Sequence, residues 1–127
     1  MKNITRMVLS VLLLGAFNCA GADVVQVWTC TLHDGKSGAE VEKASSAWLA
    51  AAKAMQGGSE LRVNHEFPLA ANAGQGGFNF VLVAPDAATW GAFWNNYDGS
   101  AAAKADEEWD AVASCSGSSL WDSNAVN

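Results

Sequence analysis

The chain has 127 residues, half of them hydrophobic, and 13 acidic side chains against seven basic ones give a formal charge of −6. That length suits one domain, and an acidic balance without a basic stripe excludes nucleic acid and anionic membranes as natural partners. The one long apolar run lies at the amino terminus and has 11 residues, Met7 to Phe17, short of the ~20 that a membrane-crossing helix needs.

Lys2 and Arg6 flank the start of that run, and Ala20-Gly21-Ala22 follows with the small-x-small pattern of a signal-peptidase site. Residues 1–22 are therefore expected to be a secretory signal peptide, and the product periplasmic or secreted. A lipoprotein cut before Cys19 is the lesser alternative, because Phe17 and Asn18 fit its recognition pocket badly. Cleavage after Ala22 leaves 127 − 22 = 105 residues, a single domain over 23–127, with a charge of 5 − 13 = −8. It also removes Cys19 and leaves Cys30 and Cys115, which in an exported protein are expected to form one disulfide.

Val24 to Leu32 is rich in β-branched residues and predicts a first strand, with Val25, Val27, Thr29 and Thr31 on one face and Gln26, Trp28, Cys30 and Leu32 on the other. His33-Asp34-Gly35-Lys36 reads as a turn. Ser37 and Glu40 have capping-box spacing, and Val41, Ala44, Trp48, Ala52 and Met55 follow at helical spacing until Gly57-Gly58 stops the helix. Glu60 to Phe67 alternates as a half-buried second strand with Leu61, Val63, His65 and Phe67 on its apolar face. Pro68 ends it, an Ala/Gly-rich connection runs to Gly77, and Phe78 to Ala84 predicts a third strand paired antiparallel with the second. Pro85-Asp86 opens a second helix with Asp86 as cap and Trp90, Phe93, Trp94 and Tyr97 as its stripe. Asp98-Gly99 interrupts it, helix resumes over Ser100 to Ala113, and Ser114 to Ser119 is a loop or strand edge before a weak last strand over Leu120 to Val126.

The order β-α-β-β-α-β is the ferredoxin-like arrangement: an α+β fold with an antiparallel four-stranded sheet and helices on one face. Strands one and three are expected in the centre, parallel to each other, with four and two at the edges. Strand four then runs antiparallel beside strand one, which brings Cys115 near Cys30.

Three stretches, "FNFVLVAPDAATWGAFW", "YDGSAAAKADEEWDAV" and "SSLWDS", resemble the dimeric α/β-barrel superfamily. This group includes antibiotic-biosynthesis monooxygenases, stress-responsive A/B barrel proteins and exported bacterial proteins. The resemblance implies a homodimer in which two sheets pack face to face, with ligands held between sheet and helices or inside the barrel. Its members include enzymes and non-enzymes, and it carries over no catalytic residue.

Candidate chemistry is sparse. His33-Asp34 reads as a solvated turn, and His65 as either a packed core histidine or a buried acid/base, the one weak catalytic candidate. Two distant histidines make no zinc signature, "GQGG" lies at no strand-to-helix junction, and "DEEWD" lacks the glycine turn of a calcium loop. It reads instead as a solvated helix face with Trp109 inward. No metal or cofactor is expected. If helices cover the Val25/Val27 face, then Gln26, Trp28, Arg62, Asn64, Glu66 and Asn79 share the opposite one and form a candidate pocket inside the dimer. The sequence thus favours a non-catalytic binder of a small apolar or aromatic ligand or of a partner. A cofactor-independent monooxygenase- or isomerase-like enzyme with His65 as proton acceptor is the alternative, and an envelope interaction or structural protein the third.

Overall fold

The computed structural model describes residues 22–70 and 76–126. Cys19 and residues 1–21 of the expected signal peptide lie outside them. Among the described residues no helix is long and apolar enough to cross a membrane.

The elements are β1 (Asp23–Leu32), α1 (Gly38–Lys53), β2 (Arg62–Glu66), β3 (Gly77–Ala84), α2 (Ala87–Asn95), α3 (Ala101–Trp109) and β4 (Ala113–Ser123). Each helix starts where a short polar side chain can accept an otherwise unpaired backbone N–H. Ser37 and Glu40 form the full reciprocal capping box of α1. Asp86 accepts from the Thr89 N–H at 2.6 Å and Ser100 from the Ala103 N–H at 3.1 Å. The Asp86 carboxyl is held below the usual aspartate value by that Thr89 N–H. Gly57, within the connection from α1 to β2, has φ 80°, and a Cβ there would lie 2.6 Å from the Phe93 backbone nitrogen. Only glycine lets this turn lie against α2.

The sheet order is β2-β3-β1-β4 and every neighbouring pair is antiparallel. The expected antiparallel sheet and its central strands are present, but β1 and β3 are antiparallel to each other, not parallel. A crossover through α1 makes β1 parallel to β2, and the β2–β3 hairpin then reverses β3, which is inserted between them.

β4 is the second difference. It runs from Ala113, where helix was expected, and takes in the Ser/Gly-rich stretch. The ladder with β1 holds it, from Leu32↔Ala113 to Asp23↔Ser123, broken by a bulge where Gly117 has φ 77°. Only Ala113 of β4 is buried, so the strand carries almost no apolar signal. Within that ladder Cys30 and Cys115 are direct partners, Cα atoms 3.9 Å apart, joined by a disulfide that closes 85 residues. A loop of that length contributes ~2–4 kcal/mol.

Cross-strand partners share a face, so register decides which side chains meet the helices. Two rows cross the whole sheet on the covered face: Val63–Leu82–Gln26–Leu120 and His65–Phe80–Trp28–Ser118. Two more cross the open face: Arg62–Val83–Val25–Trp121 and Asn64–Val81–Val27–Ser119. The expected assignment of β1 is therefore inverted. Val25 and Val27 lie on the open face, and Gln26 and Trp28 lie under the helices. The physical reason is in α2: the indole N–H groups of Trp90 and Trp94 both donate to Oε1 of Gln26, at 2.9 and 3.1 Å. Two inward indole donors need an acceptor, and a polar side chain on the central strand supplies it.

The core lies between this face and the helices: Phe78, Phe80 and Leu82 from the sheet, Val41, Trp48 and Ala52 from α1, Phe93 from α2, Ala102 and Trp109 from α3. Phe93 and Val41 are fully buried, and each such side chain contributes roughly 1.5–3 kcal/mol of hydrophobic stabilisation.

Candidate functional site

Phe80 is the centre of the aromatic packing. Trp28, Trp48 and Trp109 each stand 5.7 Å from it, centroid to centroid, at 74°, 86° and 85° to its plane. These edge-to-face contacts suit the ring quadrupoles. They also prevent the rings from collapsing into one stack, and space remains among them. A cavity of about 270 Å³ is lined by Phe80, the four indoles of Trp28, Trp48, Trp94 and Trp109, and the phenol of Tyr97. Asp106, Asp110 and the Cys115 half of the disulfide complete the wall. The volume lies just under the ~300–1,000 Å³ of drug-sized ligand sites, which sets the scale of what fits.

The polar groups of the wall form a chain. Trp48 Nε1 donates to Tyr97 Oη at 3.0 Å, and Tyr97 Oη donates to Asp106 Oδ2 at 3.0 Å. Burial pushes the Tyr97 phenol well above its ordinary value, and the Asp106 and Asp110 charges add to the effect. Burial likewise raises the Asp106 carboxyl and Asp110 adds to it, while the Tyr97 hydrogen bond opposes the shift. Tyr97 is thus a fixed donor and Asp106 a strained acceptor.

Each tryptophan except Trp28 donates its indole N–H to a side-chain acceptor among the described residues: Tyr97 for Trp48, Gln26 for Trp90 and Trp94, Ser45 for Trp109 and Ser119 for Trp121. Trp28 has no such acceptor among them, and its N–H is not among the buried unsatisfied atoms, so solvent or a ligand reaches it.

His65 belongs to a different place. It faces α1 from β2, half-buried, and a more open groove of about 410 Å³ passes it between Glu42, Ser45, Ser46, Leu49 and Phe67. Trp109 Nε1 donates to Ser45 Oγ at 2.8 Å, and Ser45 Oγ meets His65 Nε2 at 2.9 Å. An indole can only donate, so the Ser45 hydroxyl accepts from it, and the tautomer of the imidazole sets which of Ser45 Oγ and His65 Nε2 donates in the second bond. Burial lowers the His65 pKa and the Glu42 charge opposes this.

Of the six expected pocket residues, only Trp28 lines the aromatic cavity. Gln26 is committed beneath it to Trp90 and Trp94. Arg62, Asn64, Glu66 and Asn79 lie together on the open face, where Arg62 pairs with Asp23 at 2.7 Å and Asn79 donates to Glu66 at 3.1 Å. His33 and Asp34 are exposed in the turn that precedes α1. Among the described residues no three His, Cys, Asp or Glu side chains gather as a metal site.

Tyr97, Asp106 and Asp110 are the site residues that the sequence left unassigned. Trp109 does pack inward from "DEEWD", but Asp106 is half-buried with it rather than solvated. The spacing carried that information: Ala102, Asp106 and Trp109 fall on one helical face, and both flanking residues are buried.

No protein-family model and no curated protein matches the chain. Among solved structures it is similar to SnoaB, a cofactor-independent oxygenase from Streptomyces nogalater, with a TM-score of 0.55 and 14% identity over 83% of this chain and 96% of that one. A single-residue variant of the same oxygenase gives a TM-score of 0.57 at the same identity and coverage. The chain therefore has a ferredoxin-like α+β fold. At that identity the likeness extends to the fold alone.

Proposed function

We propose that the protein is an exported binder of a small apolar or aromatic ligand, held in the cavity between sheet and helices. What supports this is the cavity itself: six aromatic rings around about 270 Å³, one of them Trp28, whose indole N–H has no side-chain acceptor among the described residues and is not buried. The open sheet face carries Val25, Val27, Val81 and Val83 beside Trp121, which is 59% exposed. A second copy covers that stripe in this proposal, so the working unit is a homodimer, and the disulfide fits an oxidising compartment.

A second reading is favoured by the likeness in fold to a cofactor-independent oxygenase. In it the cavity holds a substrate, and Asp106, whose carboxyl burial raises, takes the proton. His65 does not serve that step, because it lies in the separate groove beside α1 and not in this cavity.

Native mass spectrometry of protein purified from its own exported fraction tests both. A dimer mass with a retained small molecule and both thiols oxidised is the expected result. A monomer that carries nothing would defeat the proposal. Oxygen uptake when the retained molecule is added back, lost in Asp106→Asn, would replace binding by catalysis.

A further inference from the structure

The cavity wall has a charge pattern that core packing does not explain. Asp106 and Asp110 are four residues apart on one face of α3, so two like charges are neighbours. Both lie at the carboxyl end of the helix, where its dipole is negative and carboxylates are disfavoured. Asp106 is in addition half-buried, and Tyr97 is its one side-chain partner among the described residues. No lysine, arginine or histidine lines the cavity. The described ion pairs, Lys36–Glu40 and Arg62–Asp23, both lie elsewhere. Three unfavourable placements therefore converge on one hollow, and no ion pair among the described residues neutralises them.

The rest of the wall is the surface that attracts a soft cation. Indole faces are the strongest π partners for an ammonium group, and several rings around one hollow form the arrangement that recognises quaternary ammonium. Ring pairs here are inclined at steep angles: 55° for Trp28 and Trp94, 47° for Trp48 and Tyr97. Such walls enclose a rounded guest better than a flat one. From the aromatic cavity and its two uncompensated carboxylates, we infer that the ligand is a small organic cation, an alkylated ammonium whose charge lies among the indoles beside Asp106 and Asp110. This rests on the cavity-binding proposal and specifies the ligand within it. A hydrated metal ion suits the site less well, because Asp106, Asp110 and Tyr97 are the oxygen donors among the side chains of a wall that is otherwise aromatic, short of the six or more that calcium takes. A neutral apolar guest would leave the two carboxylates as they are.

Choline and its uncharged carbon isostere, 3,3-dimethylbutan-1-ol, separate these possibilities in calorimetric titrations of the full exported protein, with tryptophan fluorescence as a second readout. Choline is expected to bind about tenfold or more tightly than the isostere. Asp110→Asn, an exposed substitution that folding tolerates, is expected to weaken choline several-fold and to leave the isostere unchanged. Trp28→Leu keeps apolar bulk but removes a π face, and should weaken choline selectively in the same way. Equal affinity for the two probes, or tighter binding of the isostere, overturns the cation and leaves the cavity as a neutral binding site. Binding of neither probe overturns the cation and the cavity together. Selective choline binding that survives in Asp110→Asn and in Trp28→Leu overturns this location for it.

Discussion

On its covered face the sheet presents Phe78, Phe80, Leu82 and Trp28 to three helices, and the tryptophans packed there, apart from Trp28, have their N–H groups satisfied. On its open face four valines lie beside Trp121, flanked by Arg62 with Asp23 and by Glu66 with Asn79. Val81 and Val83 are buried there but fall outside the core cluster beneath the helices. Trp121, in the same row of the sheet as Val83, is 59% exposed. The covered face is an interior that holds the aromatic cavity; the open face has an apolar centre and a polar rim, which is why the proposed homodimer is placed there.

The strongest way to break this contrast is to truncate one aromatic on each face. Phe80→Ala removes the ring against which three indoles pack and should cost about 3–5 kcal/mol, read as a lower urea midpoint. Trp121→Ala should change the stability of dilute protein by no more than about 0.5 kcal/mol, while at micromolar concentration it shifts the mass measured by light scattering from dimer to monomer. If Trp121→Ala destabilises dilute protein as much as Phe80→Ala does, the open face is part of the monomer core and the contrast fails.

A sharper probe of the covered face is Ser45→Ala, which removes few atoms but two hydrogen-bond partners. Trp109 is 6% exposed and would lose the acceptor of its N–H, and His65 Nε2 would lose its partner. Leaving a buried indole N–H unmatched costs about 1–3 kcal/mol. Ser46→Ala, one residue along the same helix but exposed, serves as the control and should be near neutral. Equal effects at the two positions would mean that the Ser45 relay contributes nothing.

Elements that carry their own local chemistry were legible in the sequence. Ser37 and Glu40, the Asp86 cap and the Asp98-Gly99 break act within a few residues, and the β2–β3 pair joins strands adjacent in sequence; all stand where their spacing put them. The cysteine pair was legible through topology, since β4 must return beside β1. What stayed hidden depends on register. A central strand such as β1 buries both faces in part, so alternation alone could not say which set, Val25/Val27 or Gln26/Trp28, met the helices. That one choice scattered the expected six-residue pocket over two faces. β4 was obscured for a related reason: an edge strand of serines and glycine is held by backbone pairing and a disulfide, and neither leaves an apolar pattern. The cavity needed six elements to come together, β1, α1, β3, α2, α3 and β4, so only Asp106 between Ala102 and Trp109 announced it.

The smallest expected effect concerns pH and separates the two titrating sites of the covered face. Burial lowers the His65 pKa in the folded protein below the 6.5 of a free histidine. The unfolded chain then binds the extra proton first, so His65 contributes stability that is present above pH 6.5 and lost as pH falls through its folded value. Asp106 works in the opposite sense. Its folded pKa is raised above 3.8, so the folded state takes the proton first and stability is regained as pH falls through that value. Denaturation midpoints followed from pH 7.5 downward should therefore decline in the histidine range, with Asp106 offsetting the decline further into acid. His65→Gln, which keeps a hydrogen-bonding side chain beside Ser45 without a titrating ring, should flatten the first part of the curve. Asp106→Asn should remove only the second. An unchanged decline in His65→Gln would assign it to another group and place the imbalance of the covered face outside the Ser45 relay. A ligand cation in the aromatic cavity would change the second part alone, because it holds Asp106 charged and leaves His65, in its separate groove, untouched.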